Sequence, residues 1–181
     1  MHTFVALLRG INVGGRAMIP MPELKSLFAS IGFEDVSTYI QSGNVVFRSS
    51  TRDGQALAAA IEEQIAETFD LGTTVLMRTP AELAEIAESN PFLDRETDLS
   101  KLHVVFLSGP PAAAAVEELD PNRSPPDEFS VRGSEIYLYL PNGAGRSKLT
   151  IDYFEKRLAV RATARNWKTL TKLIELTQTS P

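Results

Sequence analysis

Apolar residues recur along the chain with two spacings, and these spacings predict a repeated order of strands and helices. In the first half, runs such as residues 3–9 and "NVVFR" at 44–48 are typical of strands. Leu57, Ile61 and Ile65 recur every four residues, which is typical of one face of a helix. The resulting order is βαββαβ, followed by one further helix.

The second half of the chain repeats this order. "KLHVVFLSGP" predicts a strand like the first one, and "FVALLRG" overlays on "HVVFLSG" with Phe4 above His103. We therefore predict an α+β fold built as a tandem pseudo-repeat of two ferredoxin-like βαββαβ(α) units. The units would span residues 1–90 and 91–181 and pack together as one compact protein. The asparagine-proline pair and the charged run in "NPFLDRETDLS" favour a joint near residue 90.

Composition places the protein among ordinary soluble globular proteins. The 181 residues are 43% hydrophobic and 23% charged, and none is cysteine, which excludes disulfides, thiol catalysis and zinc–thiolate sites. The apolar run in "MHTFVALLRGIN" is too short to cross a bilayer and lacks preceding basic residues, so it predicts a strand rather than a signal peptide. We expect a cytoplasmic protein without a membrane partner.

The segment "LRGINVGGRAMIP", after the first strand, is the first candidate binding loop. It takes about ten residues where a strand–helix connection needs two to six. The glycines leave backbone N–H groups accessible, and these groups together with two guanidinium groups could hold a phosphate or carboxylate. The alternative is that the glycines only allow a tight turn of the backbone. It lacks the Gly-Lys-Ser/Thr ending of a Walker loop and does not fit the dinucleotide-binding glycine pattern. The candidate residues are Arg9, Gly10, Asn12, Gly14, Gly15 and Arg16.

Charge is unevenly distributed along the chain. The net charge is −5, yet residues 146–172 hold eight Lys or Arg and two acidic residues, so this segment carries +6 and the remainder −11. Such a segment is either a solvated helix face or a local anion site.

Two further candidate loops lie in this basic segment, each before a predicted helix. Ser147 in "PNGAGRSKLT" and Asn166 in "ARNWKTL" are the predicted N-caps. Cations beside a helix N-terminus oppose the helix dipole, so a bound anion would offset them; the alternative is a hydrated loop. The only tryptophan could pack the last helix against the sheet or form a stacking wall for a ligand. The candidate residues are Arg146, Ser147, Lys148, Arg165, Asn166, Trp167 and Lys168.

Catalytic chemistry is poorly represented. No nucleophile elbow, metalloprotease motif or carboxylate pair is present, so catalytic residues and cofactors stay unassigned and no metal site is predicted. His103 lies in an apolar strand, where packing or edge exposure is the simpler expectation. Gln41, Ser42 and Asn44 place neutral donors and acceptors at one hairpin tip, which makes them candidate ligand contacts or ordinary turn residues.

Several segments together resemble the bacterial domain of unknown function family 1697. They are "LRGINVGG" at 8–15, "TYIQSGNVVF" at 38–47, "NPF" at 90–92, "GRSKL" at 145–149 and "RNWKTL" at 165–170. The resemblance implies a duplicated ferredoxin-like α+β fold. It implies no activity, substrate or catalytic residue.

Three classes of function remain open. The first is binding of a small phosphate- or carboxylate-bearing ligand, such as a nucleotide, with or without catalysis. The second is a protein-interaction or structural module that holds no ligand. RNA binding is the third, because βαββαβ is also the order of an RNA-recognition motif, but Ser134 and Ile136 stand where that motif needs aromatics. With the net negative charge, this disfavours nucleic acid as a partner.

Overall fold

The computed structural model describes residues 1–15 and 17–179. The chain divides into two units, one formed by Met1–Glu85 with Lys172–Pro181 and the other by Ile86–Thr171. Each unit contains one four-stranded antiparallel sheet, which confirms the predicted α+β class.

The first unit has its sheet order as β2-β3-β1-β4. Its helices α1 and α2 cover one face of the sheet, where Phe28 packs edge-on against Phe47 and Phe33 stacks on the same ring. Asp53 caps α2 by accepting hydrogen bonds from two backbone N–H groups. The elements in chain order are β1 (His2–Leu8), α1 (Met21–Ser30), β2 (Glu34–Tyr39), β3 (Asn44–Ser49), α2 (Gly54–Phe69), β4 (Val75–Arg78) and α3 (Pro80–Glu88), whose last three residues belong to the second unit.

The second unit has the corresponding sheet order, β6-β7-β5-β8. Tyr153 and Phe154 of α5 pack with Val105, Leu107 and Leu138 in its core. Short 3₁₀ helices precede β5 and α5, at Leu99–Lys101 and Ala144–Arg146. The main elements are β5 (Leu102–Leu107), α4 (Ala113–Glu117), β6 (Glu128–Arg132), β7 (Glu135–Tyr139), α5 (Ile151–Leu158), β8 (Ala162–Asn166) and the start of α6 (Trp167–Thr179). From Lys172 onward, α6 belongs to the first unit.

Equivalent local hydrogen bonds occur within each of the two units. The backbone N–H of Leu8 donates to the carbonyl of Gly43 over 2.8 Å, and that of Leu107 donates to Ser134 over 2.8 Å. In each unit, a second equivalent hydrogen bond joins a glutamate of the middle helix to the strand that follows it. Glu62 accepts a hydrogen bond from the N–H of Val75 over 2.8 Å, and Glu155 accepts one from Ala162 over 2.8 Å.

Candidate functional site

The glycine-rich loop of the first unit connects β1 to α1 at the end of the sheet where the β2–β3 hairpin turns. Backbone bonds hold its first residue, because the N–H of Arg9 donates to the carbonyl of Thr74 over 2.8 Å. The hydroxyl of Thr73 donates to the carbonyl of Arg9 over 2.8 Å. The start of the loop is thus held by the segment that leads into β4. Arg16 lies outside the described residues.

Asn12 holds the loop together through its side chain. Its Nδ2 donates to the carbonyls of Ile19 and Gln41, each over 2.9 Å, and its Oδ1 accepts from the N–H of Ile19 over 2.7 Å. Its backbone has φ +55°, a conformation that asparagine tolerates better than most residues. The side chain predicted as a ligand contact therefore closes the loop and ties it to the hairpin tip.

The glycines of this region have different roles. Gly10, Gly14 and Gly15 have φ between +61° and +72°, and a Cβ on any of them would meet no atom within 4 Å. They are needed for backbone conformation rather than for close packing. A Cβ on Gly43, in contrast, would lie 2.7 Å from Leu8 Cβ at φ +75°. Gly43 was not among the predicted residues, although a glycine inside a short hairpin turn is a recognisable signal.

Hairpin-tip residues 41–44 are largely structural. Asn44 is fully buried, and its Nδ2 donates to the carbonyl of Tyr39 over 3.1 Å. Gln41 is exposed and uses its backbone carbonyl to accept from Asn12, while Ser42 is half-buried. Only Gln41 of the three keeps its side chain on the surface.

Apolar side chains project from this end of the first unit. Val13 is 61% exposed and Met18 is 62% exposed, both on the glycine-rich loop, and Ile40 at the hairpin is 49% exposed. The bond from Asn12 to Gln41 joins the loop to the hairpin. These apolar residues were not among the predicted contacts, although an apolar residue between glycines is itself unusual for a hydrated loop.

The basic loop before α5 differs from the prediction at its cap. Ser147 is wrong as the N-cap, because its Oγ accepts from the N–H of Leu149 over 3.0 Å while the helix begins later. Thr150 is the cap, accepting from the N–H of Tyr153 over 3.2 Å. The intervening residues 147–149 are not helical.

Lys148 is held at its backbone, and its side chain has no partner among residues 1–15 and 17–179. Its carbonyl accepts from Arg123 Nε over 2.9 Å, and its N–H donates to Ser124 Oγ over 3.0 Å. Arg123 in turn lies 4.0 Å above the ring of Tyr153. Ser124 donates its hydroxyl proton to Asp127 over 2.7 Å. Arg123 and Ser124, which hold the backbone of Lys148, lie in a segment that contains no motif recognised in the sequence.

The second basic segment contains one residue, Arg165, that is not where the sequence placed it. Arg165 is not an exposed cation at a helix start, because it belongs to β8, pairs with Val104 and is 7% exposed. Its Nη1 donates to Thr163 Oγ1 over 2.9 Å and to the carbonyl of Ala164 over 2.7 Å, and burial lowers its pKa to about 10. Trp167 is 3% exposed, which leaves the packing alternative and excludes an exposed stacking wall.

Asn166 caps α6 as predicted, since its Oδ1 accepts from the N–H of Thr169 over 2.8 Å. Lys168, in the first turn, is exposed. Within residues 1–15 and 17–179, the side chains of Arg146, Lys148 and Lys168 make no hydrogen bond or ion pair. They contrast with Lys101, which pairs with Glu96 over 3.3 Å and whose pKa is raised by that contact.

These three cations lie at one end of the second sheet. Strand β7 ends at Tyr139 opposite Leu102, and β8 ends at Asn166 opposite His103, so both following segments leave the sheet beside the start of β5. Strands β7 and β8 flank β5, which separates them by roughly 10 Å. The segments that lead to the N-termini of α5 and α6 therefore both leave the sheet at this end, called here the basic end and defined by Arg146, Lys148 and Lys168.

His103 lies at the basic end on the helix-covered face. It alternates with Val105 and Leu107, both of which pack in the core beneath α5. It is half-buried, burial lowers its pKa, and its Nδ1 has no hydrogen-bond partner in the described part of the chain. The packing expected for this histidine is confirmed. That its buried Nδ1 lacks a hydrogen-bond partner among the described residues was not predictable from the strand pattern.

Two features are absent from the described part of the chain. No group of three or more His, Cys, Asp or Glu side chains could hold a metal ion within residues 1–15 and 17–179. In the same residues, no helix has the length and apolar character needed to cross a membrane.

Comparison with known proteins places the chain in a family. The family described as "Protein of unknown function (DUF1697)" matches residues 1–137. The chain belongs to this family. The DUF1697 match includes the glycine-rich loop and hairpin tip and ends before the basic end of the second unit.

The fold of this DUF1697 protein also occurs in a solved structure. The conserved bacterial protein SP0830 from Streptococcus pneumoniae superimposes with a TM-score of 0.74 at 23% identity, covering 97% of this chain and 98% of the other. At this identity the likeness concerns the fold. No curated protein is significantly similar in sequence.

Proposed function

We propose that the second unit binds a small anionic ligand, phosphate- or carboxylate-bearing and of the size of a nucleotide, at the basic end. The observation that carries this proposal is the grouping of Arg146, Lys148 and Lys168 at one sheet end, exposed and without ion pairs among the described residues. The residues of the glycine-rich loop belong to the other unit, and a site that combines Arg9 and Arg16 with Arg146 stays a prediction.

Helix electrostatics support the anion. Two helices begin at the basic end, and their N-termini carry partial positive charge that disfavours nearby lysine and arginine. Asp152 in the first turn of α5 offsets part of this charge, but no acidic residue lies in the first turn of α6. A phosphate or carboxylate bound at either helix end would complement that end and the cations beside it.

Charge-matched variants test the proposal. Inorganic pyrophosphate and ATP are titrated into the full chain by calorimetry, and we expect binding that weakens as salt is raised. The Arg146→Gln, Lys148→Gln double variant should lose roughly tenfold in affinity, since each charged hydrogen bond contributes about 1.5–3 kcal/mol before solvent screening.

The matched control removes the same charge elsewhere on α5. Lys156 and Arg157 are exposed in the last turn of that helix, at the end opposite the basic end. The Lys156→Gln, Arg157→Gln variant should keep its affinity. Equal loss in both double variants would mean that net charge alone attracts the ligand, and absence of binding to either probe would reject the proposal.

A second candidate function, protein interaction, is favoured by the apolar end of the first unit. Val13, Met18 and Ile40 are exposed on a loop and hairpin that Asn12 holds in one conformation. Preorganised apolar residues are typical of a protein contact rather than of an anion site. A protein that co-purifies with the full chain and is lost from a Val13→Ser, Met18→Ser variant would support this function. Identical co-purification by both proteins would contradict it.

The matched architecture supports a duplication of a ferredoxin-like unit. Both units have the order βαββαβ and equivalent sheet orders, and the bonds of Glu62 and Glu155 to the next strand are equivalent. The proposed location is the cytoplasm, consistent with the absence of cysteine. Cell fractionation with an antibody against the protein tests the location, and recovery in a membrane or extracellular fraction would contradict it.

A further inference from the structure

A groove on the first unit lies between α1 and the C-terminal end of α2. Its volume is about 440 Å³, which is within the range of small-molecule sites. Leu27 and Phe69 contribute its apolar surface, and Pro22 lies at its N-terminal side along α1. Leu27 belongs to the buried core and Phe69 packs partly buried against it, so the apolar floor is rigid.

Polar groups along the groove are arranged on one face of α1. Glu23, Ser26 and Ser30 follow each other at spacings of three and four residues, which places them in a row. Ser26 Oγ donates to the carbonyl of Pro22 over 2.9 Å, and Ser30 Oγ donates to that of Leu27 over 2.8 Å. Because their protons are used in these bonds, the two hydroxyls offer only acceptor lone pairs to a ligand.

The groove has one formal charge and it is negative. Glu23 is exposed, and its carboxylate makes no ion pair or hydrogen bond with any residue in the described ranges. Neither lysine nor arginine lines the groove. The lining therefore combines an apolar floor, a row of acceptors and an unpaired carboxylate. That combination complements a ligand with an apolar body and a positively charged donor.

We infer that the groove between α1 and α2 binds a small organic ammonium compound. Its apolar body lies against Leu27 and Phe69. Its ammonium group donates to Glu23 and to the hydroxyl of Ser26, which lies one helical turn further along α1. The site is independent of the anion proposal, since it lies in the other unit and selects the opposite charge.

The test compares three probes that share one aromatic body. Phenethylammonium, 2-phenylethanol and 3-phenylpropanoate are titrated separately into the full ¹⁵N-labelled chain, and amide shifts of α1 and the end of α2 are followed. We expect saturable shifts centred on Leu27 and Phe69, with affinity falling from the ammonium to the alcohol to the carboxylate. Equal or tighter binding of the carboxylate, or no saturable shift with the ammonium, would overturn the inference.

Two variants locate the contact. Glu23→Gln should weaken phenethylammonium binding by about 1.5-fold to fivefold, the range for one solvent-exposed ion pair, and leave 2-phenylethanol unaffected. Glu63→Gln on α2 makes the same change at an exposed residue outside the groove and should leave both affinities unchanged. Ser26→Trp should abolish binding by filling the groove, with the remaining amide spectrum showing that the chain is folded. Unchanged ammonium binding in Glu23→Gln or in Ser26→Trp would refute the site.

Discussion

The hairpin glycine Gly43 gives the sharpest test of the fold around the glycine-rich loop. An added Cβ would lie 2.7 Å from Leu8 Cβ and 2.9 Å from two side-chain carbons of Ile11. Leu8 is 0% exposed and Ile11 is 1% exposed, so neither can move into solvent. The carbonyl of Gly43 also accepts the N–H of Leu8 over 2.8 Å, which fixes the backbones relative to each other.

Two penalties combine in Gly43→Ala. A non-glycine residue at this positive φ costs about 1–2 kcal/mol, and overpacking in a closed core costs about 1–3 kcal/mol. We expect a total loss of roughly 3 kcal/mol. Gly10→Ala is the matched control, because Gly10 has φ +69° but no atom within 4 Å of its added Cβ. It should lose only the conformational part, about 1–2 kcal/mol.

Hydrogen exchange measured by mass spectrometry is the suitable assay. The only tryptophan, Trp167, belongs to the second unit, so its fluorescence would report on the other half of the chain. Peptides from β1 and β3 report directly on the first unit, and their exchange should accelerate more in Gly43→Ala than in Gly10→Ala. Equal acceleration in both variants would show that the close contact with Leu8 carries no energy and would refute the steric argument.

Three further predictions concern caps, strand anchors and pH. Thr150→Ala should destabilise the second unit by about 0.5–2 kcal/mol in urea unfolding and Ser147→Ala by less; the reverse order would restore Ser147 as the cap. Glu62→Ala and Glu155→Ala should each lower the free energy of unfolding by about 1–3 kcal/mol, because each leaves a strand N–H unsatisfied. Hydrogen exchange of the β4 and β8 amides measures this loss, and unequal losses of protection would argue against equivalent roles. Burial lowers the pKa of His103 from 6.5, so the contribution of this histidine to stability is fully present above pH 6.5 and declines below it. Tryptophan-detected urea midpoints from pH 7.5 to 5.5 should therefore fall less in His103→Phe than in the parent, and equal falls would contradict the assignment.

Local features of the chain were accessible to sequence reasoning. Asn166 was identifiable as a cap because the bond to the N–H of Thr169 spans three residues and needs no tertiary partner. The choice between Ser147 and Thr150 was harder. Both residue types cap helices, and the actual start of α5 depends on how residues 147–149 are held by Arg123 and Ser124 from a distant segment.

Burial and long-range hydrogen bonds of the candidate binding residues could not be predicted from the sequence. Arg165 and Arg146 have the same chemistry in the sequence, yet one is buried in β8 and the other is exposed beside α5. Asn12 resembled a ligand contact because it lies among glycines. Its amide instead bonds to residues 7 and 29 positions away, and such partners cannot be identified from the loop alone.

By itself, the sequence determined the α+β class, the repeated element order and the resemblance to a family, because these depend on hydrophobic spacing and short motifs. Tertiary structure alone decided which polar side chains are structural and which are exposed. Burial and long-range hydrogen bonds depend on which strands become neighbours in a sheet. Strand pairing brought Val104 beside Arg165 and Leu8 beside the hairpin glycine, and it left Lys148 and Lys168 at one exposed end.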